Sequence, residues 1–271
     1  MKPPKIERKA ICVTKNPTLG GVISSYFNNP NTYFSTFYFP DVATFYKEEV
    51  DFNEDDFISN IIGNEAAILI NNAIARLKPD YILLAGLDEK QKSFFRLVPP
   101  KRRIDIDCFE EIEEKLKVFN KDFNGELYCN QKNILYRLIK AKRSGKKLVY
   151  DENSADTGLE TNGGVKKNAV VIEDKGDIFS VIAVNYALAV DGDIFLVEPT
   201  NKEEVHNIQR SIYKWKKERD GDAYKEIEKK INDRVSHINF SQYEYATFFT
   251  EGLPYGLVIK NIIPVSYVWR E

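Results

Sequence analysis

Cysteine is scarce in this chain of 271 residues: Cys12, Cys108 and Cys129 are the only three, and no CxxC or CxxH spacing links them. An odd count without ligand spacing argues against a disulfide framework and a thiolate zinc site, and fits reduced thiols in a cytosolic protein. No apolar run approaches the length of about 20 residues that a membrane-spanning helix needs. The opening MKPPKIERKA also lacks the apolar core of a signal peptide. The expectation is a cytoplasmic protein with no membrane partner. Neither sign of charge prevails: 39 Lys and Arg stand against 41 Asp and Glu, a formal net charge of -2. No global field therefore recruits nucleic acid. The signatures of common chemistries are missing as well. There is no GxGxxG, no GxxxxGKS/T and no GxSxG, and neither His206 nor His237 is flanked by an evident Ser or Cys partner.

What is present is an alternation of strand and helix patterns. Residues 168–199, NAVVIEDKGDIFSVIAVNYALAVDGDIFLVEP, hold two short apolar runs joined by a near-continuous apolar helix over 178–190 and a turn at Asp191-Gly192. This is a βαβ unit, and strands apolar on both sides demand a parallel sheet covered by helices. The opening repeats the theme, with a strand over 9–14 (KAICVT), a loop holding Gly20 and Gly21, and a helix expected over 22–27. Residues 32–39 (TYFSTFYF) form an aromatic strand stopped by Pro40. Two helices follow, one ended by Gly63 and one over 66–77, before a buried strand over 80–86 (DYILLAG). The spacing then predicts a helix opened by a capping box from Asp107 to Glu110, a helix over 131–143 closed by Ser144-Gly145, and a strand over 146–150.

Beyond 199, a capping box from Thr200 to Glu203 opens a helix with the stripe Val205, Ile208, Ile212 and Trp215, and a second helix over 222–235 completes an αα-hairpin. The last elements are expected to be a helix over 242–250, behind a capping box from Ser241 to Glu244, and a strand over 257–259. The fold class is α/β: a Rossmann-like, mostly parallel sheet covered by helices on both faces, with the hairpin at about 200–236 inserted or packed alongside. The chain, 1–271, reads as a single α/β domain whose place of subdivision is the polar Gly- and Asn-rich loop at 151–168. Its abrupt end just after an apolar run also fits a piece of a longer protein. The abundance of Lys, Asn, Ile and Tyr is the usage of an AT-rich genome, as in a low-GC bacterium.

Residues 79–100, PDYILLAGLDEKQKSFFRLVPP, resemble a strand-and-loop stretch of gingipain-type and other caspase-like cysteine peptidases, in which a buried strand ending in glycine precedes an aromatic-Pro turn. The resemblance implies a caspase-like α/β half-domain. That family's chemistry needs a His at the end of one strand and, later in the chain, a Cys at the end of the next. Here every Cys precedes both His residues, so the implied half-domain lacks the dyad.

In parallel sheets whose strand order reverses, ligands bind beyond the carboxyl ends of the strands. That rule selects Asn16, Thr18, Gly20 and Gly21 after the first strand, where a glycine-containing loop and a helix N-terminus suit a phosphate. It also selects Lys175, Asp177 and Thr200 after the strands of the central unit. Thr157, Gly158 and Asn162 join them from the polar loop, a segment that is either a ligand-contacting lid or a surface insertion. Asp88, Glu173, Asp174 and Glu198 are the candidate catalytic carboxylates, of the kind that hold Mg²⁺ at strand ends in phosphoryl-processing enzymes. The basic cluster Lys140, Lys142, Arg143, Lys146 and Lys147 either complements a helix C-terminus or contacts phosphate. Three functions stand open. The favoured one is a binding or sensor domain for a nucleotide-type small molecule, in a bacterial stress or antiviral defence system. The others are a Mg²⁺-dependent phosphoryl hydrolase, and a catalytically inactive caspase-like interaction domain. In the last, the helical hairpin or the basic cluster carries a protein partner or a homo-oligomer contact.

Overall fold

The computed structural model describes residues 8–28, 32–39, 55–119, 123–155, 166–250 and 253–269. The chain divides into two compact units, residues 1–157 with 176–182 and residues 158–175 with 183–271. The first opens with β1 (Arg8–Thr14), α1 (Pro17–Ser25) and β2 (Thr32–Tyr38). α1 begins ahead of the expected residue 22. Pro17 pre-sets a helical φ in the first turn, and the Asn16 side chain accepts a hydrogen bond from the Leu19 N–H at 3.0 Å. Next comes α2 (Asp55–Leu77), one helix running through Gly63 rather than two. A single helical glycine costs only about 1 kcal/mol, which tertiary packing overrides. Then follow β3 (Tyr81–Ala85), the short α3 (Glu89–Ser93) and β4 (Arg103–Ile106).

These strands form one parallel sheet in the order β2-β1-β3-β4. Ile11 and Val13 of β1 and Ile82 and Leu84 of β3 share a core cluster with Ala67 and Ile70 of α2, which Phe39 and Phe95 close. The expected capping box at Asp107 does not form. Asp107 pairs with Lys92 at 2.8 Å, and a 3₁₀ turn over Phe109–Glu111 precedes the short α4 (Ile112–Leu116). β5 (Glu126–Cys129), α5 (Ile134–Ser144) and β6 (Lys147–Tyr150) make a small parallel pair around a helix, which Gly145 ends at φ 68°. α1 and α5 approach closely at Gly21, where an added Cβ would lie 2.6 Å from Ile134 Cγ1.

β7 (Asn168–Glu173), α6 (Ile178–Ala189) and β8 (Asp193–Val197) are the βαβ unit read from the sequence. α7 (Lys202–Tyr213), a π-turn over Lys214–Glu218 and α8 (Gly221–Val235) make the αα-hairpin. β9 (Tyr245–Thr250), α9 (Gly256–Ile259) and β10 (Val265–Trp269) complete the chain. The second sheet runs β10-β9-β7-β8, again all parallel. Both large sheets thus share one topology: the first strand pairs with the second on one side and the third on the other, and the fourth lies outside the third. Ile208 of α7 and Ile227, Ile231 and Val235 of α8 join Ala169, Val171, Ala246 and Phe248 in one core, so the hairpin packs on this sheet.

Four expectations fail in this unit. Residues 245–250 are a strand, not a helix, because Thr247, Phe248, Phe249 and Thr250 are β-branched or aromatic and the segment pairs with β7, buried along nearly its whole length. The supposed capping box dissolves: Glu244 pairs with Lys167 at 2.9 Å, and Ser241 Oγ donates to Asn239 at 2.7 Å. Residues 257–259 lie in α9 instead of a strand. The cap of α7 is Asn201, accepting from the Glu204 N–H at 2.8 Å, and not Thr200. The fold is α/β, with parallel sheets flanked by helices. No helix among the described residues is long and apolar enough to cross a membrane.

Candidate functional site

The strand order reverses at β1/β3 in the first sheet and at β7/β9 in the second, and the carboxyl ends of those pairs are the two places this topology offers a ligand. At the first, Thr14 Oγ1 accepts from the Asn16 N–H at 3.0 Å, and Asn16 in turn caps α1. Gly86 follows β3 at φ 62°, with its N–H donating to the Ile106 carbonyl at 2.8 Å. A Cβ on it would stand 3.2 Å from Leu19 Cδ2 and 3.7 Å from Asn16 Cβ, so the two loops lie against each other. Asp88 caps α3 in a reciprocal box with Gln91, and Lys15 Nζ stands 3.7 Å from Asp88 Oδ2. Their side chains are 27% and 55% exposed, so this charged pair stands at the surface beside the packed loops.

The second switch point is closed. Glu173, the last residue of β7 and 4% exposed, accepts at Oε1 from Thr200 Oγ1 (2.7 Å), Thr250 Oγ1 (2.8 Å) and Tyr255 OH (3.3 Å). Arg234 Nη1 lies 3.9 Å from the same oxygen and donates to Thr200 Oγ1 at 2.8 Å and the Glu198 carbonyl at 3.0 Å, while Nη2 donates to Glu204 at 2.6 Å. Burial, then the neighbouring carboxylate, raises the Tyr255 phenol above its ordinary range, so it remains a donor at neutral pH. A buried anion held by three hydroxyls and a guanidinium meets the requirement that buried charge be paired and hydrogen-bonded. It ties the ends of β7, β8 and β9 to α8.

The sequence-derived candidates separate accordingly. Asn16 and Asp88 both lie at the first switch point, and Glu173 and Thr200 bond at the second. Thr18, Gly20 and Gly21 lie inside α1 and are buried, with the Gly20 N–H donating to the Asn16 carbonyl. The glycines there admit close packing, since a Cβ at Gly20 would come within 3.0 Å of Thr14 Cγ2. Asp174 donates its N–H to the Val197 carbonyl at 2.9 Å and Lys175 donates its own to Glu173 at 3.2 Å. Asp177 accepts from the Ser180 N–H and Oγ, each at 2.9 Å, in the first turn of α6. Glu198 is exposed, and its carbonyl receives Arg234. Thr157, Gly158 and Asn162 fall outside the described residues. Among the described residues, no three His, Cys, Asp or Glu side chains gather as a metal site requires.

The basic cluster is structural at its two best-placed members. Lys142 Nζ donates to the Phe27 carbonyl at 2.8 Å and lies 5.7 Å from the centre of the Phe34 ring, and burial lowers its amine to about 7. Lys147 is held by Glu113 at 2.8 Å and Glu126 at 3.0 Å. Sequence reasoning missed Arg234, Glu204 and Thr250 altogether. The available signal for Arg234 was its place beside the stripe Ile227, Ile231 and Val235. Fold and site together define an α/β protein with two four-stranded parallel sheets of one topology, one switch point carrying a partly exposed charged pair and one sealed by a buried carboxylate. Neither a family model, nor a curated protein, nor a solved structure matches the chain.

Proposed function

We propose that the protein binds a small anionic molecule of the nucleotide type at the carboxyl ends of β1 and β3. The observation that carries this reading is the partly exposed pair of Lys15 and Asp88 at the strand-order reversal, beside the Asn16-capped N-terminus of α1. Lys15 suits a phosphate and Asp88 a sugar hydroxyl, since the Leu19 and Gly20 N–H groups of α1 are already taken by Asn16. Gly86, in a left-handed conformation, brings its backbone against Leu19 and Asn16 beside that pair. Binding without turnover is the accompanying reading, because Glu173, the most buried of the candidate carboxylates, is occupied by hydroxyl donors from its own unit.

Thermal unfolding of the full chain across mono-, di- and cyclic nucleotides, with and without Mg²⁺, tests this. A compound at a hundred times its dissociation constant stabilises the folded state by about 2.7 kcal/mol. The expected result is a rise in midpoint for one class of nucleotide that persists without Mg²⁺, leaves the compound intact and is lost in Lys15→Ala. A silent panel, or a rise unchanged in Lys15→Ala, overturns the reading.

A further inference from the structure

We propose that the corner of the αα-hairpin is a docking surface for the phosphate backbone of a nucleic acid duplex. Residues 210–219 carry Arg210, Lys214, Lys216, Lys217 and Arg219 against one acid, Glu218. All five cations are exposed, and none has an ion-pair partner among the described residues. The neighbouring acids are used within the hairpin itself. Asp220 accepts from the N–H groups of Asp222 and Ala223 at 2.9 and 3.2 Å, capping α8. Asp222 pairs with Lys225 at 3.1 Å, and Glu226 pairs with Lys230 at 3.6 Å and accepts from Ser211 at 3.2 Å. The corner is also braced. It is a π-turn ended by Arg219 at φ 59°, and Trp215 packs on Tyr224 of α8 with ring centres 5.0 Å apart. The cations therefore stand on a turn of defined shape.

Charge complementarity selects a polyanion, and the packing of the aromatics selects which one. Adsorption of a helical corner to a membrane relies on apolar side chains entering the lipid boundary. Trp215 is committed to Tyr224, which leaves Tyr213, 59% exposed, alone in that role. A single-stranded nucleic acid site relies on several aromatics for base stacking, and the same commitment leaves only one. Contact with duplex phosphates asks only for Lys and Arg within reach of them. The chain's net charge of -2 does not oppose this, because a surface field is screened within about 8 Å at physiological salt and the patch acts locally. The surface is independent of the ligand crevice at β1/β3.

The test is fluorescence anisotropy of a labelled DNA duplex titrated with the full chain at several salt concentrations. With five phosphates engaged, log affinity falls against log salt with a slope of about -4.5, so affinity drops about 500-fold between about 50 and 200 mM salt. In K214Q/K216Q/K217Q the slope shrinks to about -2 while the thermal midpoint stays at the wild-type value, and K214R/K216R/K217R binds as wild type. Three results overturn the proposal: no saturable binding at low salt, wild-type affinity and slope in the glutamine variant, or adsorption to anionic phospholipid vesicles without affinity for the duplex.

Discussion

Glu173 offers the sharpest test of how the second unit is held together. Its carboxylate is 4% exposed and receives three hydroxyls at 2.7, 2.8 and 3.3 Å, with Arg234 at 3.9 Å. Glu173→Ala removes the common acceptor and leaves those donors in a space closed to water. Each hydrogen bond to a charged group is worth about 1.5–3 kcal/mol, but part is recovered. Arg234 keeps Glu204 at 2.6 Å, and Thr250 Oγ1 has the Leu253 carbonyl at 3.4 Å. The net cost expected is about 3–5 kcal/mol, that of breaking a buried charged network. Glu173→Gln keeps a carbonyl oxygen for the hydroxyls and turns an amide donor toward the Thr200 N–H, which lies 3.5 Å from Oε2. Its cost should be about 1–2 kcal/mol. Urea unfolding followed by tryptophan fluorescence and far-UV circular dichroism reads both, with an unchanged slope showing that the midpoint shift is stability. A cost below about 1 kcal/mol for Glu173→Ala, or equal costs for the two variants, would refute the argument, because the carboxylate would then not be the shared acceptor.

Further predictions concern the first unit. Gly21→Ala brings a Cβ within 2.6 Å of Ile134 Cγ1, and the overpacking should destabilise by about 1–3 kcal/mol despite the better helix propensity. Combining it with Ile134→Ala should cost less than the sum of the two single changes in a double-mutant cycle. Gly86→Ala, at φ 62°, should cost about 1–2 kcal/mol in urea unfolding, since a left-handed residue with a Cβ is strained. Lys142 has its amine lowered to about 7 by burial, so the unfolded chain binds more protons than the folded one between there and the ordinary lysine value. Stability from this group therefore rises with pH above about 7, on the order of 1 kcal/mol per unit at most, and is lost below it. Lys142→Met should flatten the dependence of the urea midpoint on pH between about 7 and 9; an identical profile in the variant contradicts the burial argument.

Much of the architecture is legible in the chain because β1, β3, β7 and β8 are short apolar runs followed by turn or cap residues, and α7 and α8 carry clean apolar stripes. The elements that were missed have physical reasons. β4 (RIDI) and β5 (ELYC) are four residues long, half exposed, and too short for a period to emerge. β9 lies behind Ser241 and Glu244, whose spacing imitates a capping box, and its pairing with β7 overrides that local signal. Thr200 and Asn201 are adjacent residues that can both cap a helix, Asn somewhat better. The choice falls to Asn201 because Glu173, distant in sequence, takes the Thr200 hydroxyl. The same distance hides Arg234 and Thr250, since a network among residues dozens of positions apart leaves no spacing to read. Asn16 and Asp88, by contrast, sit directly after strands that the pattern identifies, and the topological rule reached them.

The most direct test of the proposed ligand crevice is amide NMR of the full chain with mono-, di- and cyclic nucleotides added in turn. The account predicts saturable shifts of the Lys15, Asn16, Gly86 and Asp88 amides for one class of compound, abolished in Lys15→Ala, with the amides of Glu173 and Thr200 unmoved. Shifts centred on Glu173, or none at the β1 and β3 ends with any compound, would contradict it.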